Sequence, residues 1–144
     1  MAFLLFFGIL PYISIIININ YSLPVYNSNY TIILGFPLCV LGMIVILHSL
    51  SSLFFKPKQE FSTSAGVTEK LIISGLYRYV RNPIFIGYFI VILSEFFIFG
   101  YILILAYLLI VIIFTNISVI YKEEKILEKK FGSDYINYKK KVPR

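Results

Sequence analysis

The chain has 144 residues, 59% of them hydrophobic, and a mean hydropathy of +0.87, which is too apolar for a soluble domain and short enough for a single one. Its formal charge of +6 does not point to nucleic acid, because all thirteen Lys and Arg fall in two segments beside apolar runs. The one cysteine, Cys39, excludes an internal disulfide, and no His/Cys cluster has metal-ligand spacing, so no metal partner is expected.

In chain order, Ala2 to Ile19 is an apolar run near the ~20 residues needed to cross a ~30 Å hydrocarbon core. It lacks the basic start and small-residue cleavage site of a signal peptide and reads as a retained first span, kinked near Pro11. Asn20 to Tyr30 is polar, uncharged and contains Pro24, as an external loop would. Thr31 to Phe55 is the second span. Its Gly35, Pro37 and Gly42 suit close helix packing, and its lone His48 reads as a structural helix residue.

Lys56 to Asn82 is the one long inter-helix loop. Five bases against two acids place it in the cytoplasm. Its Leu71-Ile72-Ile73 and Tyr77 to Arg81 runs are too apolar and aromatic for a solvated linker. Pro83 suits the first turn of a helix. Ile84 to Phe99 is a third span and Gly100 turns the chain into a fourth, Tyr101 to Tyr121. Glu95, inside the third span, is a functional candidate, with a protonated or hydrogen-bonded structural carboxyl as the equal alternative.

From Lys122 the fourth helix continues through Lys-Glu-Glu-Lys-Ile-Leu-Glu-Lys-Lys until Gly132 stops it, able there to take a left-handed cap. Ser133 or Asp134 caps a short second helix. On it Tyr135 and Tyr138 share a face and, beside Lys139 to Lys141, suit contact with membrane lipids. The expectation is an all-α integral membrane protein of about four transmembrane helices with both termini cytoplasmic. Residues 1–144 form one membrane domain, with two anchoring spans in 1–55 and a catalytic core in 56–144 built on a helical hairpin, 84–121. A cytoplasmic loop and a C-terminal helical tail form its cofactor site.

Two pieces of this core stand in a distinctive order. The run Gly75-Leu76-Tyr77-Arg78-Tyr79-Val80-Arg81-Asn82-Pro83-Ile84-Phe85-Ile86-Gly87 precedes the hairpin. Glu123-Glu124-Lys125-Ile126-Leu127, Phe131-Gly132-Ser133-Asp134-Tyr135-Ile136-Asn137-Tyr138 and Val142-Pro143-Arg144 follow it. Over roughly the C-terminal half this pattern resembles the isoprenylcysteine carboxyl methyltransferase family and its relatives among phospholipid methyltransferases. The resemblance implies a site for S-adenosylmethionine at the cytoplasmic membrane face, made from an Arg-His-Pro-x-Tyr element and a Glu-Glu pair. It carries Arg81, Pro83, Glu123 and Glu124 over as matching positions. The family histidine is Asn82 here and the tyrosine is Phe85. Asn82 still donates and accepts hydrogen bonds but does not titrate near neutral pH.

These residue types suit the cofactor independently. An arginine such as Arg81 holds its carboxylate in a fork, a glutamate of the pair takes its ammonium, and Tyr77, Tyr79 or Phe85 contacts the adenine. Arg81 and Glu124 are the candidates nearest the chemistry. A carboxylate acceptor, with a pKa of ~4, is already ionised and needs no base, whereas a phospholipid amine needs deprotonation, with Glu124 as the candidate. The expected activity is methyl transfer to a lipophilic acceptor, an isoprenylcysteine-type carboxylate or related lipid, entering from the bilayer. Two other readings are an NADPH-dependent membrane reductase, since sterol reductases share a similar C-terminal part, and a small proton-coupled multidrug transporter using Glu95.

Overall fold

The computed structural model describes residues 8–54, 71 and 73–144. Their elements are helices: α1 (Leu10–Asn20), α2 (Asn29–Phe54), a 3-10 turn (Gly75–Arg78), α3 (Pro83–Phe99), α4 (Ile102–Ser118), a π-helical turn (Val119–Glu123), α5 (Glu124–Phe131) and α6 (Ser133–Lys141). Pro11 and Pro83 sit in the first turns of α1 and α3, where a missing N–H leaves no hydrogen bond unmade. Gly100 ends α3 in the left-handed conformation, φ +74°, and its N–H donates to Phe96 O at 2.7 Å. A Cβ there would lie 2.6 Å from the Tyr26 backbone, so both its conformation and its neighbour require glycine.

The expected packing role of the small residues is met. A Cβ on Gly42 would lie 2.9 Å from Gly87 O, one on Gly87 would lie 3.0 Å from Gly42 O, and one on Gly35 would lie 3.2 Å from Ser94 O. Thus α2 and α3 meet backbone to backbone, a contact that any side chain at these positions would hold apart. Ile92, Ile104, Leu108 and Val111 knit the α3–α4 hairpin. Buried Asn18 joins α1 to it, its Nδ2 donating to Leu23 O at 3.1 Å and its Oδ1 accepting from the Leu103 N–H at 3.2 Å.

The outer surface is hydrocarbon: Ile33, Leu34, Val40 and Leu47 on α2, and Leu109, Ile110 and Ile113 on α4, are exposed. So much exposed apolar area suits lipid. Two helices, Asn29–Phe54 and the continuous Ile102–Phe131, are long and apolar enough to cross a membrane. The other two are shorter, α1 with 11 residues and α3 with 17, the latter ~26 Å long against a ~30 Å core. Residues 2–7 of the expected first span, 55 of the expected second span, and 56–70 and 72 of the expected loop lie outside the described residues.

The tail departs from expectation at two points. Gly132 has a positive φ of 56°, but its ψ of −128° makes it a mirror-extended corner rather than a left-handed helical cap, and no side chain caps α6. Tyr135 and Tyr138 do not face lipid. They are 3% and 6% exposed and pack with Leu71 and Val142, flanked by Ile73, Leu127 and Phe131. The corner at Gly132 aims their face at the protein, and an apolar helix face satisfies either neighbour.

Candidate active site

Gly75, at φ +58°, opens the 3-10 turn and sets Arg81 just before the start of α3. Arg81 is nearly buried, with 9% of its side chain exposed, and its Nη1 donates to Glu124 Oε1 at 2.8 Å. Forty-three residues of sequence separate the partners. Glu124 turns inward because of the π-helical turn before it, where the Glu124 N–H bonds Val119 O, five residues back. One extra residue in a helical turn rotates everything beyond it by about 100°. Glu124 is therefore buried and Glu123 is exposed.

Three cations converge on the Glu124 carboxylate. Besides Arg81, Arg144 Nε donates to Oε1 at 2.7 Å and Lys139 Nζ meets Oε2 at 2.8 Å. Lys139 also reaches Glu128 Oε1 at 2.8 Å. The Arg81 N–H donates to Pro143 O at 2.8 Å, and the Tyr138 hydroxyl donates to Tyr77 O at 2.7 Å, so the C-terminal segment is tied to the Gly75–Arg81 stretch. Burial pushes the Glu124 carboxyl up, but hydrogen bonds from Arg144 and Lys139 and the charges of Arg81 and Arg144 outweigh it and hold the group at about 2. Burial and the negative charge of Glu123 push Tyr77 up to about 12.

Arg81 Nε is buried with no hydrogen-bond partner among the described residues, a donor costly to leave unmade. Asn82 and Phe85 line a cleft of about 150 Å³ between α3 and α4, walled further by Ile86 and Phe89, by Thr115, Asn116 and Val119, and by Arg144. Pro83 is buried in the first turn of α3. Tyr77 is half-buried and Tyr79 is 72% exposed. Glu123 makes no ion pair among the described residues. Glu95 lies ~18 Å along α3 from Pro83, outside the cluster, with a buried Oε2 that has no partner among the described residues.

The structure thus joins Arg81 to Glu124 and sets Asn82 and Phe85 in the adjoining cleft, while Tyr79 and Glu123 remain at the surface. Sequence reasoning passed over Lys139 and Arg144 as partners of Glu124, and Thr115 and Asn116 as cleft residues. The polar pair Thr115-Asn116 in a largely apolar helix was the available signal.

Residues 30–134 match the family model described as phospholipid methyltransferase. The chain belongs to the phospholipid methyltransferase family. Membership implies methyl transfer on lipid-type substrates, and the match takes in Arg81, Asn82, Pro83, Phe85, Glu123 and Glu124. Lys139 and Arg144, which complete the charge cluster, lie beyond the matched residues. No curated protein matches the chain.

Proposed function

We propose that the chain transfers a methyl group from S-adenosylmethionine to a lipophilic acceptor, an isoprenylcysteine-type carboxylate or related lipid. The reaction takes place at the cytoplasmic face of a four-span membrane domain whose termini both lie in the cytoplasm. The observation that carries this reading is the Arg81–Glu124 ion pair. It joins the two family segments across the hairpin and leaves the buried Arg81 Nε without an acceptor among the described residues.

The residues present fit the cofactor. Arg81 offers the cofactor's carboxylate a buried donor that has no partner among the described residues, and Glu123, exposed and without an ion pair among the described residues, offers a carboxylate to its ammonium. Tyr77, Tyr79 and Phe85 supply aromatic surface for the adenine, Asn82 supplies an amide, and Pro83 fixes where α3 begins. When bound, the cofactor supplies a sulfonium methyl whose C–S bond breaks as a C–O or C–N bond forms to the acceptor, leaving a neutral thioether.

The chain's own contribution is alignment and exclusion of water. Held at about 2, Glu124 stays ionised at neutral pH and is a weak base there. Its part is to hold Arg81 and Arg144 in place. That favours an acceptor already ionised, a carboxylate of pKa ~4, over an amine that must lose a proton. The apolar walls of the α3–α4 cleft give a lipid chain its place beside the cluster.

Membranes containing the protein, given S-adenosylmethionine labelled on the methyl group and a total lipid extract, are expected to place label in the organic phase. Arg81→Ala is expected to reduce it by on the order of 100-fold. Equal labelling by wild type and Arg81→Ala, or none from either, would sink the reading.

A further inference from the structure

Arg144 stands in both halves of the site. Its Nε is bound to Glu124 at 2.7 Å, which fixes the plane of the guanidinium. Its two Nη groups have no partner among the described residues, and 40% of the side chain is exposed. Among the described residues it is also the one charged residue lining the α3–α4 cleft, whose remaining lining is Phe85, Ile86, Phe89 and Val119 with the uncharged polar residues Asn82, Thr115 and Asn116. A cleft with a single oriented cation at one end and hydrocarbon along its length suits an amphiphile with an anionic head.

We infer that Arg144 is a specificity-determining residue that holds the anionic head, carboxylate or phosphate, of the lipophilic acceptor through its Nη groups, with Glu124 orienting it. A guanidinium presents two parallel N–H donors to such a head. Glu124 thereby aims two arginines, Arg81 toward the cofactor and Arg144 toward the acceptor. The cofactor's own carboxylate is the competing source of the anion. The cleft lining favours the acceptor, because Ile86, Phe89 and Val119 make an apolar wall suited to a hydrocarbon chain rather than to the polar amino-acid end of the cofactor. The inference rests on the methyl-transfer reading for the word acceptor, while anion binding itself is measurable without turnover.

The full-length protein in a neutral maltoside detergent is titrated calorimetrically with dodecyl phosphate, dodecanoate and dodecanol, and separately with S-adenosylhomocysteine and methylthioadenosine, which lacks the amino-acid part. Wild type is expected to bind at least one anionic amphiphile and to prefer it over dodecanol by tenfold or more. Arg144→Gln is expected to erase that preference and Arg144→Lys to restore part of it. Lys140→Gln, which removes an exposed cation outside the cleft lining, is expected to keep the preference, which separates recognition by Arg144 from loss of net charge. The stronger of the two anionic heads identifies the acceptor class. Unchanged anion preference in Arg144→Gln overturns the inference. So does a loss confined to S-adenosylhomocysteine, with methylthioadenosine and dodecyl phosphate unaffected, because the anion is then the cofactor's. Failure of wild type to bind S-adenosylhomocysteine, with Arg144-dependent anion binding intact, overturns the cofactor reading and leaves the anion site standing.

Discussion

The α2–α3 crossing and the cluster around Glu124 hold the same α3 helix from opposite principles. At the crossing, Gly35, Gly42 and Gly87 remove side chains until two backbones nearly touch. At the cluster, Arg81, Lys139 and Arg144 bring long charged side chains to one carboxylate. The first contact has no freedom and depends on neither pH nor salt. The second is oriented by charge and leaves donors over: Arg81 Nε and the Nη groups of Arg144. A rigid hydrocarbon scaffold presenting an unsaturated polar cluster at one end is what a ligand site in a membrane protein requires.

Restoring a side chain at the crossing is the most damaging single change. Gly42→Leu drives its Cβ to within 2.9 Å of Gly87 O and 2.7 Å of Val91 Cγ2. Thermal unfolding in detergent is expected to show a loss of about 3 kcal/mol or more, insensitive to salt. Glu124→Gln comes next. It leaves Arg81 nearly buried without its counterion, and breaking such a pair costs roughly 3–5 kcal/mol when both partners are fully enclosed. Lys139 and Arg144 are 36% and 40% exposed and turn to water, so the lower end of that range is expected, with loss of cofactor binding.

The pH dependence has a definite sign. Because Glu124 sits at about 2 when folded against an ordinary value of 4.5, its contribution is complete above about 4.5 and is lost as pH falls toward about 2. Acid unfolding of wild type is expected to steepen in that window, and Glu124→Gln to flatten it. Tyr138→Phe removes the 2.7 Å bond to Tyr77 O and is expected to cost about 1 kcal/mol, read as earlier proteolysis of the tail. Smallest is Glu128→Gln. Glu128 is 37% exposed and Lys139 keeps its bond to Glu124, so the expected change in stability stays below about 0.5 kcal/mol.

The two regions were also unequally legible in the sequence. Small residues in an apolar run announce close packing, and Gly35 and Gly42 were readable as such, although their partner Gly87 was not. The meeting of Arg81 with the Glu pair followed from the order of the segments around a hairpin. Which glutamate faces inward did not, because that depends on the five-residue turn at Val119–Glu123, and a single residue of register exchanges Glu123 for Glu124. Lys139 and Arg144 were hidden for a related reason: their return depends on the backbone at Gly132, φ 56° and ψ −128°. Tyr135 and Tyr138 were legible as an apolar face but not as one covered by Leu71 and Val142, since helix periodicity fixes a face and not its neighbour.

The central claim, that the cation cluster on Glu124 is a cofactor site, is tested most directly by titrating the purified protein with S-adenosylhomocysteine in a calorimeter. Wild type is expected to bind one equivalent, and Arg81→Ala, checked for an unchanged helical spectrum, to bind at least tenfold more weakly. Binding by Arg81→Ala equal to that of wild type, or no heat from a folded wild type, would contradict it.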